Sequence, residues 1–182
     1  MRMMMVENFF SNFVQLEQAF KDIPRYSYKD HPEVQVAELK KTDGTELNFK
    51  WPGERSEDLK KVSPFAVSLF LKEFTKFGNF LPPNCPFKIY THLRLGSDNK
   101  EEFIHKDTPG ADYSTLVYLS KTNLESGTKL YDDKQKEIAD IKFIQNRALI
   151  FESRYNHMPI HNHGTDINNG RLTLNIFWKE PQ

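Results

Sequence analysis

The segment EFIHKD, residues 102–107, places an imidazole and a carboxylate two positions apart. On an extended strand alternate side chains share a face, so His105 and Asp107 would point to the same side. Two histidines and one carboxylate form the facial triad that holds non-haem Fe(II) with coordination positions left open. An isolated His-x-Asp pair is a weak signal, because most such pairs are solvated or structural. The segment therefore predicts a metal site only if a second histidine joins it.

A second histidine, His157, follows the apolar run ALIFES. The run RLTLNIFW then divides its side chains between two faces: Arg171, Thr173 and Asn175 on one, and an apolar set on the other. If the apolar face packs on helices, the arginine points inward. A buried arginine needs an anionic partner, so the pattern indicates a carboxylate receptor near the metal ligands.

Two helices and a hairpin in the first half of the chain would support such a site. ENFFSNFVQLEQAFKDIP has apolar side chains at helical spacing, namely Phe10, Phe13, Val14 and Phe20. The pair Asp43-Gly44 predicts a hairpin turn, followed by alternating Leu47, Phe49 and Trp51. SPFAVSLFLKEFTKFG predicts a helix with Ser63 as cap, Pro64 in the first turn and Gly78 at the end. Its apolar face comprises Val67, Phe70, Leu71, Phe74 and Phe77.

In the second half of the chain, apolar and polar residues alternate in short runs, and turn residues separate these runs. These runs are FKIYTHLRL, EFIHK, YSTLVYLS, GTKLYD, EIADIKFI, RALIFES and RLTLNIFWK, with a long loop predicted over residues 154–170. Such spacing is typical of an antiparallel sandwich or barrel. We predict a single domain, 1–182, with a helical and hairpin support region at 1–85 and a mainly β core at 86–180.

Three short motifs follow one another along the chain: HKD at 105–107, SRYNH at 153–157 and RLT at 171–173. Their order resembles that of the Fe(II)- and 2-oxoglutarate-dependent oxygenases, particularly the small prolyl-hydroxylase-like branch. In that family H-x-D on an early strand precedes a distal histidine and an R-x-S/T motif. The resemblance covers roughly residues 87–179 and implies a double-stranded β-helix, a jelly-roll or cupin-like core, with N-terminal helices.

The resemblance implies that His105, Asp107 and His157 hold Fe(II). The family's distal ligand directly follows a strand and a short turn, which favours His157. His161 is the runner-up, and His163 is expected to be a loop residue that faces water.

The resemblance also implies a cosubstrate, 2-oxoglutarate, which the metal chelates through its 1-carboxylate and 2-oxo oxygens. Arg171 would pair with the 5-carboxylate, and Thr173 and Tyr118 would add hydrogen bonds. The implied reaction is a dioxygenase reaction that couples decarboxylation to succinate with hydroxylation or demethylation of a substrate, with ascorbate as a supporting reductant. Because Asp107 is present, a halogenase is disfavoured.

Three further polar side chains lie near these motifs. We expect His92 to be a partly exposed strand histidine. Arg94 could reach a substrate anion, but a surface charge is the favoured interpretation. Arg154 could equally contact substrate or form a salt bridge at the rim.

Composition disfavours some classes of function. Lysine plus arginine and aspartate plus glutamate number 25 each, so the chain has no basic excess that would favour nucleic acid, and repair chemistry on the same fold is disfavoured. The single cysteine, Cys85, and the absence of a signal peptide or a long apolar run favour a cytoplasmic protein that does not span a membrane. A small-molecule or peptide substrate is expected. The rival hypothesis is a non-catalytic jelly-roll binding module that holds Zn(II), Ni(II) or no metal.

Overall fold

The structure is a computed structural model that describes residues 2–27, 29–30, 36–40, 46–50, 52–77, 85–101, 104–107 and 111–179. Its helices are α1 (Phe13–Lys21), α2 (Leu59–Val62) and α3 (Pro64–Phe74), with 3₁₀ turns at Thr75–Phe77 and Gly96–Glu101. Its strands are β1 (Met3–Val6), β2 (Tyr26–Ser27), β3 (Val36–Lys40), β4 (Glu46–Lys50), β5 (Glu54–Arg55), β6 (Phe87–Arg94), β7 (Tyr113–Tyr118), β8 (Asn123–Tyr131), β9 (Glu137–Phe143), β10 (Ala148–Glu152), β11 (Asn156–Ile160) and β12 (Arg171–Trp178).

Two antiparallel sheets build the core. The larger has the strand order β1-β10-β7-β12-β6-β5-β2, and the smaller has the order β11-β8-β9. From β7 onward the chain passes back and forth between them: β8 and β9 lie in the smaller sheet, β10 in the larger, β11 in the smaller and β12 in the larger. This alternation is that of a double-stranded β-helix, and the predicted fold class is confirmed.

The outer face of the larger sheet packs against the helices. The apolar side chains of β12 belong to the same buried cluster as those of α1 and α3: Leu172, Leu174, Ile176 and Trp178. Phe70 is fully buried, with its ring 5.8 Å from that of Trp178 and 5.6 Å from that of Phe9. The Trp178 Nε1–H donates to Thr115 Oγ1 at 2.9 Å, so the indole is buried with its polar atom satisfied. This packing directs the polar face of β12 toward the space between the sheets.

A second buried cluster lies between the two sheets. Tyr118, Leu149 and Phe151 come from the larger sheet, and Leu130, Ile141 and Phe143 come from the smaller one. These apolar side chains pack the sheets together beside the polar side chains of the inner face.

The two predicted helices are present as α1 and α3, and one residue of the predicted apolar face, Val14, is exposed. Pro64 begins α3 as expected, and Phe70 and Phe74 lie on its buried face, although the Ser63 side chain donates or accepts no capping hydrogen bond within the described residues. On α1, Phe13 and Phe20 are buried. Val14, which was predicted on the apolar face, is 88% exposed, since a short helix can cover the sheet with only one narrow stripe.

Other predictions on the supporting half concern the hairpin and the helix end. β3 pairs with β4 as the hairpin predicts. The turn Asp43-Gly44, Trp51 and Gly78 lie outside the described residues, as do the side chains of Leu47, Phe49 and Phe77.

Six of the seven predicted runs in the second half contain strands, β6 to β10 and β12. The run EFIHK does not form one in its described part, where His105 makes only an isolated bridge to His157. The predicted loop at 154–170 is wrong at its start, because β11 lies within it and pairs with β8. No helix among the described residues has the length and apolarity to cross a membrane.

Candidate active site

A β-bridge joins the two histidines of the predicted triad. The His105 N–H donates to His157 O at 3.0 Å, and the His157 N–H donates back to His105 O at 2.7 Å. This reciprocal pair fixes the two backbones side by side, and the imidazole centroids lie 4.3 Å apart. The site therefore comes from two segments about fifty residues apart in the sequence.

Asp107 completes the cluster. One ligand atom from each of His105, Asp107 and His157 lies within 4.8 Å of the others, and Asp107 Oδ1 lies 3.4 Å from His157 Nε2. Ser114 on β7 donates its hydroxyl to Asp107 Oδ2, and Ser114 Oγ lies 2.8 Å from Ser153 Oγ. These hydroxyls hold one carboxylate oxygen and leave the other directed at the histidines.

The electrostatics of the cluster favour an ionised carboxylate. Burial alone would raise the pKa of Asp107, but His157 and His105 with the Ser114 hydrogen bond lower it to about 2. Burial alone would lower the pKa of His157, but the Asp107 carboxylate raises it above its ordinary value. Without a metal, the two groups therefore behave as an ion pair.

The donor set fits a divalent transition metal. His157 Nδ1 lies 3.3 Å from Tyr155 O, which favours a proton on Nδ1 and a lone pair on Nε2 facing Asp107. Two imidazoles and a carboxylate can bind on one face of an ion and leave coordination positions open. His105, Asp107 and His157 could hold such an ion together.

The two alternative histidines lie apart from this cluster. His161 is exposed and has a positive φ of 51° in the loop after β11. His163 packs edge-on against Phe143 at 5.6 Å and is partly buried, so the expectation that it faces water is wrong. Neither belongs to a group of potential metal ligands among the described residues.

The cluster opens into a pocket between the two sheets. Its volume is about 80 Å³, several times the roughly 10–15 Å³ that one water molecule requires. Beyond the metal cluster, its wall is formed by Arg55, His92, Arg94, Ser114, Thr115, Leu116, Thr128, Phe151, Pro159, Arg171, Asn175 and Phe177. A small organic molecule can therefore lie beside the cluster.

Arg171 lines this pocket and is only 3% exposed. Its Nη2 donates to Gly127 O at 3.2 Å and to Thr128 Oγ1 at 3.3 Å, both on β8. The guanidinium carbon also lies 5.5 Å from the Phe143 ring centroid and 5.9 Å from that of Tyr118. Strand β8 and the aromatic rings thus orient the guanidinium within the cavity.

The two other predicted cosubstrate residues lie behind the pocket wall. The Tyr118 hydroxyl donates to Thr128 Oγ1 at 2.9 Å, and the Thr173 hydroxyl donates to His92 O at 3.3 Å. Thr128, which the sequence analysis missed, lies on the wall between Arg171 and Tyr118. The run GTKLYD contains Thr128, but strand periodicity alone does not connect it with Arg171.

Two expectations about β6 are wrong. His92 is buried, and its ring Nε2 lies 2.9 Å from Pro52 O, so it donates a hydrogen bond there. Burial and the nearby Arg94 and Arg55 guanidiniums hold the pKa of His92 well below its usual range, so it is neutral. Arg94 is buried and lines the pocket. Arg154, left open above, is an exposed rim residue whose Nη2 lies 3.1 Å from Glu152 Oε2.

Comparison with known proteins yields structural neighbours only. No protein-family model matches the chain, and no curated protein matches it in sequence. A prolyl hydroxylase from Trichoplax adhaerens, solved with a peptide fragment of the hypoxia inducible factor oxygen degradation domain, is similar at a TM-score of 0.62 and 15% identity, over 98% of this chain and 83% of that one.

Two bacterial structures agree with it. A prolyl-4-hydroxylase from Pseudomonas putida has a TM-score of 0.60 at 12% identity, over 98% of this chain and 92% of the other. An oxidoreductase of the 2OG-Fe(II) oxygenase family from Burkholderia pseudomallei has a TM-score of 0.62 at 11% identity, over 97% of this chain and 84% of the other. The chain has the double-stranded β-helix fold of the 2OG-Fe(II) oxygenases, as the motif resemblance implies.

Proposed function

We propose that the protein is a 2-oxoglutarate- and Fe(II)-dependent dioxygenase that hydroxylates or demethylates a small-molecule or peptide substrate. The observation that carries the proposal is the coincidence of a His-Asp-His cluster and a buried arginine in one pocket. The fold is compatible with this activity but does not by itself imply it.

Each pocket residue has a defined task under this proposal. His105, Asp107 and His157 would hold Fe(II), and the Ser114 hydroxyl fixes the orientation of the Asp107 carboxylate. Arg171 binds the 5-carboxylate of 2-oxoglutarate at the end of the cavity where Thr128 lies. Fe(II) and 2-oxoglutarate, when bound, supply the oxidising chemistry, in which dioxygen is consumed and succinate and carbon dioxide are released as the substrate is oxidised.

The protein's contribution is positioning and exclusion of water. Phe151 packs edge-on against His157 with ring centroids 5.2 Å apart, and Leu116 and Pro159 add apolar wall. In such a pocket the ion pair of Arg171 with a carboxylate is stronger than in water. The chain has a single cysteine, the buried Cys85, and hence no internal disulfide, so a reducing, cytoplasmic compartment is proposed, with ascorbate as a supporting reductant.

The proposal is tested by succinate release with Fe(II), 2-oxoglutarate and ascorbate against a panel of amino acids and peptides. Turnover, coupled to a substrate or uncoupled, is expected for the parent. His157→Ala should abolish both this turnover and stoichiometric Fe(II) binding, whereas the matched control His161→Ala should retain both. The absence of succinate under every condition would favour the non-catalytic binding module.

A further inference from the structure

Arg55 is a second guanidinium on the pocket wall that the proposed chemistry does not use. It lies on β5 opposite His92 of β6. Its guanidinium carbon is 3.9 Å from the Tyr90 ring centroid and 5.8 Å from that of Phe177. The side chain is therefore held flat against an aromatic surface, with its position fixed and its charge facing the cavity.

The polar groups of Arg55 are incompletely satisfied. Its Nε is buried and makes no hydrogen bond, and no carboxylate forms an ion pair with it in the part of the chain that the structure describes. Asp107 and Asp58 influence its pKa only from beyond ion-pair distance, and burial lowers that pKa. A buried N–H group without an acceptor is costly, which indicates that an acceptor for the Nε–H of Arg55 comes from outside the chain.

Asn175 provides a second, independent observation on the same wall. It lies on β12 opposite Tyr90, lines the pocket, and has a buried Oδ1 with no hydrogen-bond partner among the described residues. Unsatisfied buried polar atoms are rare, and here two of them flank one aromatic ring. They mark a polar binding position on the part of the pocket wall that β5 and β12 supply.

The charges that line the pocket also indicate an anion. Among the side chains that the structure describes, the guanidiniums of Arg55, Arg94 and Arg171 line it together with the carboxylate of Asp107. A divalent metal and dianionic 2-oxoglutarate would cancel each other and would leave the charge of Arg55 unbalanced. His92 is neutral and adds no charge. A substrate with an anionic group would balance the charge of Arg55.

We propose that the substrate oxidised at this site carries a carboxylate that pairs with Arg55, beside a polar group that hydrogen-bonds to Asn175. This inference rests on the proposed function and adds a substrate class to it. The two coplanar oxygens of a carboxylate match one planar guanidinium edge, and a phosphate, which can bind an arginine in the same two-pronged way, is the alternative that the test includes. The apolar part of the substrate would lie along Phe177, which lines the same pocket.

The test follows the Nε–H resonance of Arg55 by NMR in protein loaded with diamagnetic Zn(II) and 2-oxoglutarate. Loss of the resonance in Arg55→Gln assigns it. Acetate titrated at constant ionic strength should shift this resonance in a saturable manner, and the exposed-arginine control Arg154→Gln should respond like the parent. Arg55→Lys, which keeps the charge, should retain acetate binding within about tenfold, as judged by the Asn175 side-chain resonances.

Either of two outcomes would overturn the inference. Acetate could leave the Arg55 resonance unchanged, or inorganic phosphate, and not acetate, could shift that resonance in a saturable manner. A second series, in which acetate is titrated before 2-oxoglutarate is added and spectra are then compared with and without 2-oxoglutarate, separates this inference from the proposed function. If 2-oxoglutarate itself causes no change around Arg171, the proposed function fails irrespective of Arg55. If it does and Arg55 ignores acetate, only the substrate class is wrong.

Discussion

Asp107 is the residue on which the geometry of the metal cluster depends most. One of its oxygens faces His157 and the other accepts from Ser114, which in turn contacts Ser153. Such outer partners keep a ligand in its binding rotamer before the metal arrives. The orientation of the Asp107 carboxylate in HKD therefore depends on a hydroxyl from another part of the chain, that of Ser114 on β7.

At this scale pH should act on metal binding through His157. Its folded-state pKa lies above 6.5, so the His157–Asp107 pair stabilises the metal-free fold fully below about pH 6.5 and loses that contribution as pH rises through the folded-state pKa. Metal binding requires neutral imidazole, so stabilisation by metal has the opposite dependence. The metal-induced rise in Tm should be larger at about pH 8 than at about pH 6.

This pH dependence is measured by thermal unfolding with and without Zn(II). Asp107 should not contribute to it, because its pKa of about 2 keeps it ionised throughout that range. In metal-free Asp107→Asn, the contribution of the ion pair should vanish. A metal-induced shift that is equal at both pH values would mean that His157 does not bind the ion.

Sequence reasoning identified the cluster residues better than it did the rest of the wall. The structure brings HKD and His157 together, as the residue types and their order predict, and their role as metal ligands stays a prediction. The burial of His92 and Arg94 was predicted wrongly. The alternation of side chains along a strand assigns each residue to one of two faces, but it does not show which face is interior. Arg55 gave no signal, since β5 is two residues long and lies between β6 and the equally short β2.

At the scale of elements, strand β8 links the smaller sheet to the arginine. Gly127 lies where β8 approaches β9 so closely that a Cβ would come 2.1 Å from Ile141 O. Its carbonyl accepts from Arg171, and the next residue is Thr128. The close approach and the position of the arginine thus depend on the same glycine.

Gly127→Ala should therefore destabilise the protein by about 1–3 kcal/mol, because backbone atoms must shift to admit a methyl group. The measurement is the free energy of unfolding in urea. The matched control is Ser126→Ala, which removes a buried hydroxyl that has no hydrogen-bond partner among the described residues and should change stability by less than about 0.5 kcal/mol. Equal stability of Gly127→Ala and the parent would contradict the close packing of β8 on β9.

Strand β11 lies where sequence reasoning predicted a loop. β11 contains Pro159 and lies in a polar, histidine-rich segment, so neither composition nor period indicated a strand. It forms because β8 supplies a pairing edge and His105 bridges to it. By contrast, β6, β7, β10 and β12 pack on both faces and have strong β-formers, which made them predictable.

At the scale of the whole molecule, the helical layer and the site occupy opposite faces of one sheet. Phe70 packs on Phe9, Phe74 and Trp178 behind β12. The net charge of zero says nothing about the pocket, because three arginines gather on the inner face while the acidic residues are mostly elsewhere. The helix-covered face of the larger sheet thus contributes packing, and its other face lines the candidate site.

Phe70→Ala should lower the free energy of unfolding by about 3–5 kcal/mol through the cavity that it creates. Phe65→Ala on the same helix is the control, because Phe65 is 62% exposed and should cost less than about 0.5 kcal/mol. Zn(II) affinity of the folded Phe70→Ala protein should match that of the parent. A large loss of metal affinity well below the Tm would show that the two faces are not independent.

The most direct test of the central claim is a titration of 2-oxoglutarate into the anaerobic Fe(II) protein, followed by the metal-to-ligand charge-transfer band. Arg171→Leu removes one partner of a buried ion pair, typically about 3–5 kcal/mol, and should weaken 2-oxoglutarate by roughly two to three powers of ten. Fe(II) binding should be unchanged, and the exposed-arginine control Arg154→Leu should behave like the parent. If Arg171→Leu binds 2-oxoglutarate as tightly as the parent, the cosubstrate assignment is wrong and the protein is a metal-binding barrel of another kind.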